Sequence, residues 1–203
     1  MANRTILNRI AACYRDKEFY DGDRNNGYGG MVDDGRWGPV AENLISVYGL
    51  DEDSIVLQIG CHKGFLLLEL LKRGINVRGT EVSRYAIEQA PVSVRHFISE
   101  CPPMRAPYRP HEFDLVVCVQ PVYAVVLLDA IKCLREIKRV GKGKAFITLG
   151  AYETDEDFRL MRKWCILGNL ILTKAEWLEV LNHAGYLGDY RFDTAQTLGL
   201  VEA

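Results

Sequence analysis

From residue 51 onward, short apolar runs alternate with amphipathic stretches of helical period. Residues 54–59, 76–81, 94–98, 113–119, 144–149 and 188–192 are short and mostly rich in Val, Ile, Leu or Phe, as strands are. Residues 64–73, 83–89, 125–139 and 173–184 carry apolar side chains at helical spacing. Thr173 and Glu176 form a capping box for the last of these, and Gly185 stops it. The run Leu115-Val-Val-Cys-Val lacks any polar alternation, which suits a strand buried on both faces of a parallel sheet. Strict β–α succession predicts right-handed crossovers and an α/β, doubly wound, Rossmann-like three-layer sandwich. Its mostly parallel sheet should hold six to seven strands. Six are firm in the pattern, and little chain remains after residue 193 for a full-length seventh.

The first fifty residues have another texture. Residues 20–38 hold six glycines and four aspartates, but also Tyr20, Tyr28 and Trp37. A disordered linker seldom carries such aromatics. A loop folding over a ligand, with aromatic walls and glycine hinges, accounts for both features. Residues 39–49 then place Val40, Leu44, Ile45 and Tyr48 on one helical face, with Gly49 as the stop. The chain thus divides into a helical and loop arm over residues 1–50, acting as a lid, and a ligand-binding domain over residues 51–203.

Composition narrows the classes. A length of 203 residues with 48% apolar content fills one core. A net charge of −2 gives no electrostatic footprint for nucleic acid, and the basic stretch 132–144 reads as a solvated helix face and turn. Six cysteines without a C-x-x-C pair read as reduced thiols of a cytoplasmic protein, so neither a disulfide frame nor a metal site is expected. No apolar run reaches membrane length, and no membrane partner is expected. The sequence leaves a homodimer open.

The candidate chemistry lies in residues 55–83. Gly60 and Gly64 bracket the turn after the first strand, and Glu81 closes the second strand twenty-one residues after Gly60. In a doubly wound sheet this spacing sets a nucleoside over the loop and a carboxylate beside its ribose. The loop is G-x-x-x-G, not G-x-G-x-x-G, and no G-x-x-x-x-G-K-[ST] run occurs, so a phosphate-free adenosine ligand fits best. The arrangement resembles motifs I and II of class I S-adenosylmethionine-dependent methyltransferases, over roughly residues 50–193.

That resemblance implies S-adenosyl-L-methionine as cofactor. Gly60, Cys61 and Gly64 would touch its methionine portion, and Glu81 its ribose hydroxyls. Val82, Glu100 and Cys101 would meet the adenine. Gln58 stands where the family commonly has an acid that holds the ammonium group, and weaker binding follows. His62 replaces a small loop residue and reads as a surface histidine without a role. Gln120-Pro121-Val122-Tyr123, at the methyl-transfer rim, only distantly echoes the signature of nucleic-acid amino methyltransferases. The arm segments Asp21-Gly-Asp-Arg-Asn-Asn-Gly-Tyr-Gly-Gly and Asp34-Gly-Arg-Trp, together with Glu176-Trp177 and Gly185-Tyr186, resemble bacterial methyltransferases of small-molecule or saccharide substrates. This implies that Arg24, Tyr28, Gly29 and Arg36 close over the cofactor, with Arg24 or Arg36 pairing its carboxylate.

On the acceptor side, Tyr123 and Glu153 are the catalytic candidates, and Tyr152, Arg162 and Trp164 the substrate-binding ones. Glu153 also reads simply as a solvated acid at a helix start. The expected function is methyl transfer to N or O of a small polar molecule of natural-product, amino-acid or sugar type. The alternatives are a catalytically degenerate binding or scaffold protein, and an RNA or protein methyltransferase.

Overall fold

The computed structural model describes residues 4–201. Helices α1 (Ile6–Cys13) and α2 (Lys17–Tyr20) precede an irregular segment and α3 (Trp37–Tyr48). The sheet begins with β1 (Ile55–Ile59), α4 (Phe65–Lys72), β2 (Asn76–Glu81), α5 (Arg84–Glu88), α6 (Val92–Arg95), β3 (Ile98–Glu100) and β4 (Leu115–Cys118). A 3-10 turn at Pro121–Tyr123 leads to α7 (Leu127–Val140), β5 (Ala145–Tyr152), α8 (Asp155–Trp164), β6 (Leu172–Thr173), α9 (Lys174–Ala184) and β7 (Asp189–Asp193).

Every strand pairing is parallel, in the order β3-β2-β1-β4-β5-β6, with β7 also on β5. The long β5 serves two partners along one edge: β7 takes Phe146–Gly150 and β6 takes Ala151–Tyr152. The chain moves outward from β1 to β3, then returns to β4 on the other side of β1. The β1/β4 crevice is therefore the topological switch point, where open α/β sheets bind ligands.

Residue alternation divides the core. Leu57, Ile59, Val116 and Cys118 pack with Leu134, Ile137 and Trp177 beneath α7 and α9. Val56, Leu115 and Val117 pack with Leu44, Leu66, Leu67 and Leu70 beneath α3 and α4. Each fully buried Leu, Ile or Val contributes roughly 1.5–3 kcal/mol. Trp177 is fully buried yet satisfied, its indole N–H donating to the Gly150 carbonyl at 2.8 Å.

The structure departs from the sequence pattern in two places. Residues 92–95, within and just before the expected strand 94–98, form α6, and β3 starts only at Ile98. Pro91 (φ −51°) presets the helical entry, and Val94 is buried near Gly64 instead of joining the sheet. The seventh strand is the two-residue β6, short of full length as the pattern predicts. Helix α8 has no counterpart among the helical stretches of the sequence pattern, although its ends are well marked. The Thr154 hydroxyl accepts from the Asp157 N–H, three acids fill the first turn, and Arg162 and Lys163 occupy the last. Among the described residues, no helix is long and apolar enough to cross a membrane.

Candidate functional site

The floor of the site is the glycine loop. Gly60 has φ +69°, and a Cβ there would lie 2.2 Å from Pro121 Cγ, so only glycine lets β1 end beneath the β4 tip. The Gly60 and Cys61 N–H groups both donate to the Thr80 carbonyl, at 2.8 and 2.9 Å, which ties the loop to β2. Gly64 (φ +72°) opens α4, where a Cβ would press on Ile98 and Val94 at 3.2 and 3.3 Å. Gln58 is buried at the C-terminal end of β1, and its Oε1 accepts no hydrogen bond among the described residues. A buried acceptor without a donor is uncommon and points to a missing partner.

Glu81 stands at the β2 tip and is 2% exposed. Its Oε1 accepts the N–H groups of Val82 (2.8 Å) and Ser83 (2.9 Å), and its Oε2 accepts that of His62 (2.8 Å). Three of about four lone-pair directions are thus filled. One acceptor direction, on Oε2, is left open.

The arm seals the loop from above. Lys63 Nζ donates to both Asp21 oxygens, at 2.6 and 2.7 Å, and to the Met31 carbonyl at 2.9 Å. Tyr85 Oη and the Met31 N–H also donate to Asp21. Burial works to raise the Asp21 pKa, but these bonds, led by Lys63, hold it below the usual value. The Tyr85 hydroxyl is pushed up to about 12, mainly by its bond to that carboxylate.

His62 is no idle surface residue. Tyr20 Oη lies 3.1 Å from its Nδ1 and Tyr28 Oη 3.4 Å from its Nε2, while Tyr28 donates to Gln120 Oε1 at 3.0 Å. Burial lowers the His62 pKa, outweighing the nearby Glu81, and keeps the imidazole neutral. The consistent donor order is Tyr20 O–H to Nδ1, Nε2–H to Tyr28, and Tyr28 O–H to Gln120. Both His62 (φ +52°) and Gln120 (φ +81°) hold left-handed backbone, a strain that clusters at functional sites. Burial also raises the Tyr20 and Tyr28 pKa values, so both hydroxyls stay protonated.

Loop, strand tips and arm line a partly open cavity of about 280 Å³. This is near the lower end of small-molecule sites, roughly 300–1,000 Å³. Of the residues singled out from sequence, Gly60, Glu81, Val82, Cys101, Gln120 and Tyr123 line it from the strand tips, Arg24, Tyr28 and Arg36 from the arm, and Trp164 from α8. Gln58, Cys61, Gly64, Gly29, Glu100, Tyr152, Glu153 and Arg162 do not. Glu153 instead pairs with Lys174 at 2.8 Å, half exposed; Tyr152 packs on Phe158; and Arg162 donates to the Gly168 carbonyl. Tyr123 only backs the wall, since its ring is fully buried and its hydroxyl turns to Asp193 at 3.4 Å. Sequence reasoning missed Arg4, Arg15, Phe19, His62 and the Cys165–Leu167 turn, all on the cavity wall. The one local signal was the Thr5/Asn8 capping box that starts α1 and so carries Arg4 and Arg15 toward the site.

A family model described as a methyltransferase domain matches residues 57–149, from β1 into β5. The fold is that of a methyltransferase domain. Solved structures share this methyltransferase fold at low identity. The YcgJ protein of Bacillus subtilis is 16% identical, with TM-score 0.59 over 71% of this chain. The (4+2)-cyclase SpnF is 21% identical, with TM-score 0.57 over 72%. The geranyl diphosphate C-methyltransferase of Streptomyces coelicolor, solved with Mg2+, geranyl diphosphate and S-adenosyl-L-homocysteine, is 15% identical, with TM-score 0.57 over 72%. The matches cover 66%, 57% and 59% of those three chains, respectively. No protein of curated function matches the sequence.

Proposed function

We propose that this chain is an S-adenosylmethionine-dependent methyltransferase of a small polar acceptor, with residues 1–50 serving as the lid. The observation that carries the reading is convergence. The positive-φ glycine loop, the Glu81 carboxylate and the aromatic arm meet on one cavity at the β1/β4 switch point. The neighbour that carries S-adenosyl-L-homocysteine in the same fold supports the choice of ligand.

The residues present suit that cofactor. Gln58 Oε1 is buried outside the cavity lining, so the cofactor's ammonium group would reach it only through a shift of the wall. Glu81 Oε2 would accept from one ribose hydroxyl, Val82 and Cys101 would flank adenine, and Arg36 or Arg24 would meet its carboxylate. When bound, the cofactor supplies an electrophilic methyl group. The protein's part is to fix the line of attack and exclude water, which transfer from a sulfonium chiefly requires. Lys63–Asp21 holds the arm down, and the Tyr20–His62–Tyr28–Gln120 chain fixes the aromatic wall. Calorimetry with S-adenosyl-L-homocysteine tests the reading, and absence of binding heat would overturn it.

SpnF, a cyclase of the same fold, keeps a second reading in play: a chain with this architecture that does not transfer methyl groups. Binding of S-adenosyl-L-homocysteine without methyl transfer to any acceptor in a cell metabolite extract would favour it.

A further inference from the structure

The cavity wall is strongly cationic. Four arginines line it (Arg4, Arg15, Arg24 and Arg36) against one carboxylate, Glu81, although the whole chain carries a net charge of −2. Most of these guanidiniums are engaged. Arg36 is paired with Asp34. Arg4 donates to the carbonyls of Lys163, Trp164, Arg24 and Gly27, yet its buried Nε has no partner among the described residues. Arg24 donates to Gly27. Burial and the neighbouring Arg24 charge both lower the Arg4 pKa, and neither arginine has an ion pair among the described residues.

Arg15 differs from the other three. Its side chain lines the cavity and has no hydrogen bond or ion pair among the described residues. Its backbone, by contrast, is held firmly. It adopts φ +50° between α1 and α2, and its carbonyl accepts the Ser83 hydroxyl. A strained, tethered backbone presenting an unpaired guanidinium to a cavity is the arrangement expected of a ligand contact.

Among the described residues the same wall offers no base beyond the one open Glu81 lone pair, which the cofactor ribose would take. Glu81 spends three lone-pair directions on backbone N–H groups, and both His62 nitrogens face tyrosine hydroxyls. Burial raises the Cys165 thiol to about 11. A nucleophile that first needs deprotonation is poorly served here, and a protonated amine is repelled.

Resting on the methyltransferase reading above, we infer that the acceptor is a small carboxylic acid, bound as its anion through Arg15 and methylated on oxygen. One carboxylate oxygen forms the new C–O bond as the methyl–sulfur bond breaks, and the bonding pair stays on sulfur. The products are a neutral methyl ester and a thioether, and no proton moves. The missing base is then no deficiency.

The test uses benzoate, benzamide and benzylamine, titrated by calorimetry into protein saturated with S-adenosyl-L-homocysteine. Benzoate should bind about tenfold or more tighter than the other two, the scale of one charge-assisted hydrogen bond. Arg15→Gln should erase that preference while the affinity for S-adenosyl-L-homocysteine stays unchanged, and Arg84→Gln, remote and paired with Glu88, should change neither. Equal or reversed preference, no benzoate binding, or a parallel loss of S-adenosyl-L-homocysteine affinity in Arg15→Gln would each overturn the inference. In the chemical arm, methyl label transferred to a metabolite extract should be released as methanol by mild base, and base-stable label would overturn it. Without any S-adenosyl-L-homocysteine heat in the unsubstituted protein, the cofactor reading fails separately, and the benzoate preference of the ligand-free protein still decides the anion site.

Discussion

Lys63, inside the glycine loop, and Asp21, on the arm, meet at 2.6 Å with the lysine almost wholly buried. One ion pair therefore couples the floor of the site to its roof. Removing one partner from a buried pair costs several kcal/mol, but Asp21 is a quarter exposed, which discounts that figure. Lys63→Met should lower unfolding free energy by about 1–3 kcal/mol and speed tryptic cleavage within residues 20–38. Unchanged cleavage would show that the arm is held by its aromatics alone.

The same pair sets an acid limit. The folded Asp21 pKa lies below its unfolded value, so its contribution is complete above roughly pH 4 and fades as pH falls through the folded value. Asp21→Asn should flatten the stability curve in that acid range, as read by urea unfolding at stepped pH.

His62 acts at higher pH. Its folded pKa is lowered by burial, so the unfolded chain binds the extra proton and stability falls as pH drops below roughly 6.5. In His62→Asn, a residue that tolerates the left-handed backbone, that slope should disappear while the plateau above pH 7 drops by about 1–2 kcal/mol from lost tyrosine bonds. A slope equal to that of the unsubstituted protein would assign the titration to another group.

Glu81 carries two duties that can be separated. Glu81→Ala strands three N–H groups and should cost about 3 kcal/mol or more in stability. Glu81→Gln keeps one acceptor oxygen for Val82 and Ser83 and should cost about half as much, while S-adenosyl-L-homocysteine affinity still falls about tenfold. Thermal melts and calorimetry on both variants read the two duties independently.

The two loop glycines should differ in tolerance. Gly60→Ala drives a methyl into Pro121 at 2.2 Å on top of an unfavourable φ, so failure to fold or a loss beyond about 3 kcal/mol is expected. Gly64→Ala meets only side-chain methyls at 3.2–3.3 Å and should cost about 1–2 kcal/mol. Urea midpoints of the two variants check the order.

The parts of this molecule that were legible in sequence are those set by local periodicity. The apolar runs gave the β1, β2, β4 and β5 strands, and the glycine spacing gave a turn that does use positive φ at Gly60 and Gly64. The segment around Val94 misled because its β-branched residues favour a strand, while Pro91 and packing near Gly64 decide for a helical turn. The roof of the site was legible only as a texture. Tyr28 meets His62 across 34 positions and Gln120 across 92, distances no local pattern spans. Glu153 looked catalytic by position, but Lys174, one strand away, claims it. Arg15 gave no signal of its own chemistry, because what distinguishes it is the lack of a side-chain partner among the described residues.

Arg4 bonds the carbonyls of Lys163 and Trp164 at the end of α8, whereas Asp21 is clasped by Lys63 on the opposite rim. Neither end of the cover swings freely, so a ligand too large for the present mouth of the cavity enters only when one of these tethers releases. Ligand capture then becomes a gated, first-order event. Its observed rate should level off with rising ligand in stopped-flow traces, at a ceiling set by how often the clasp lets go.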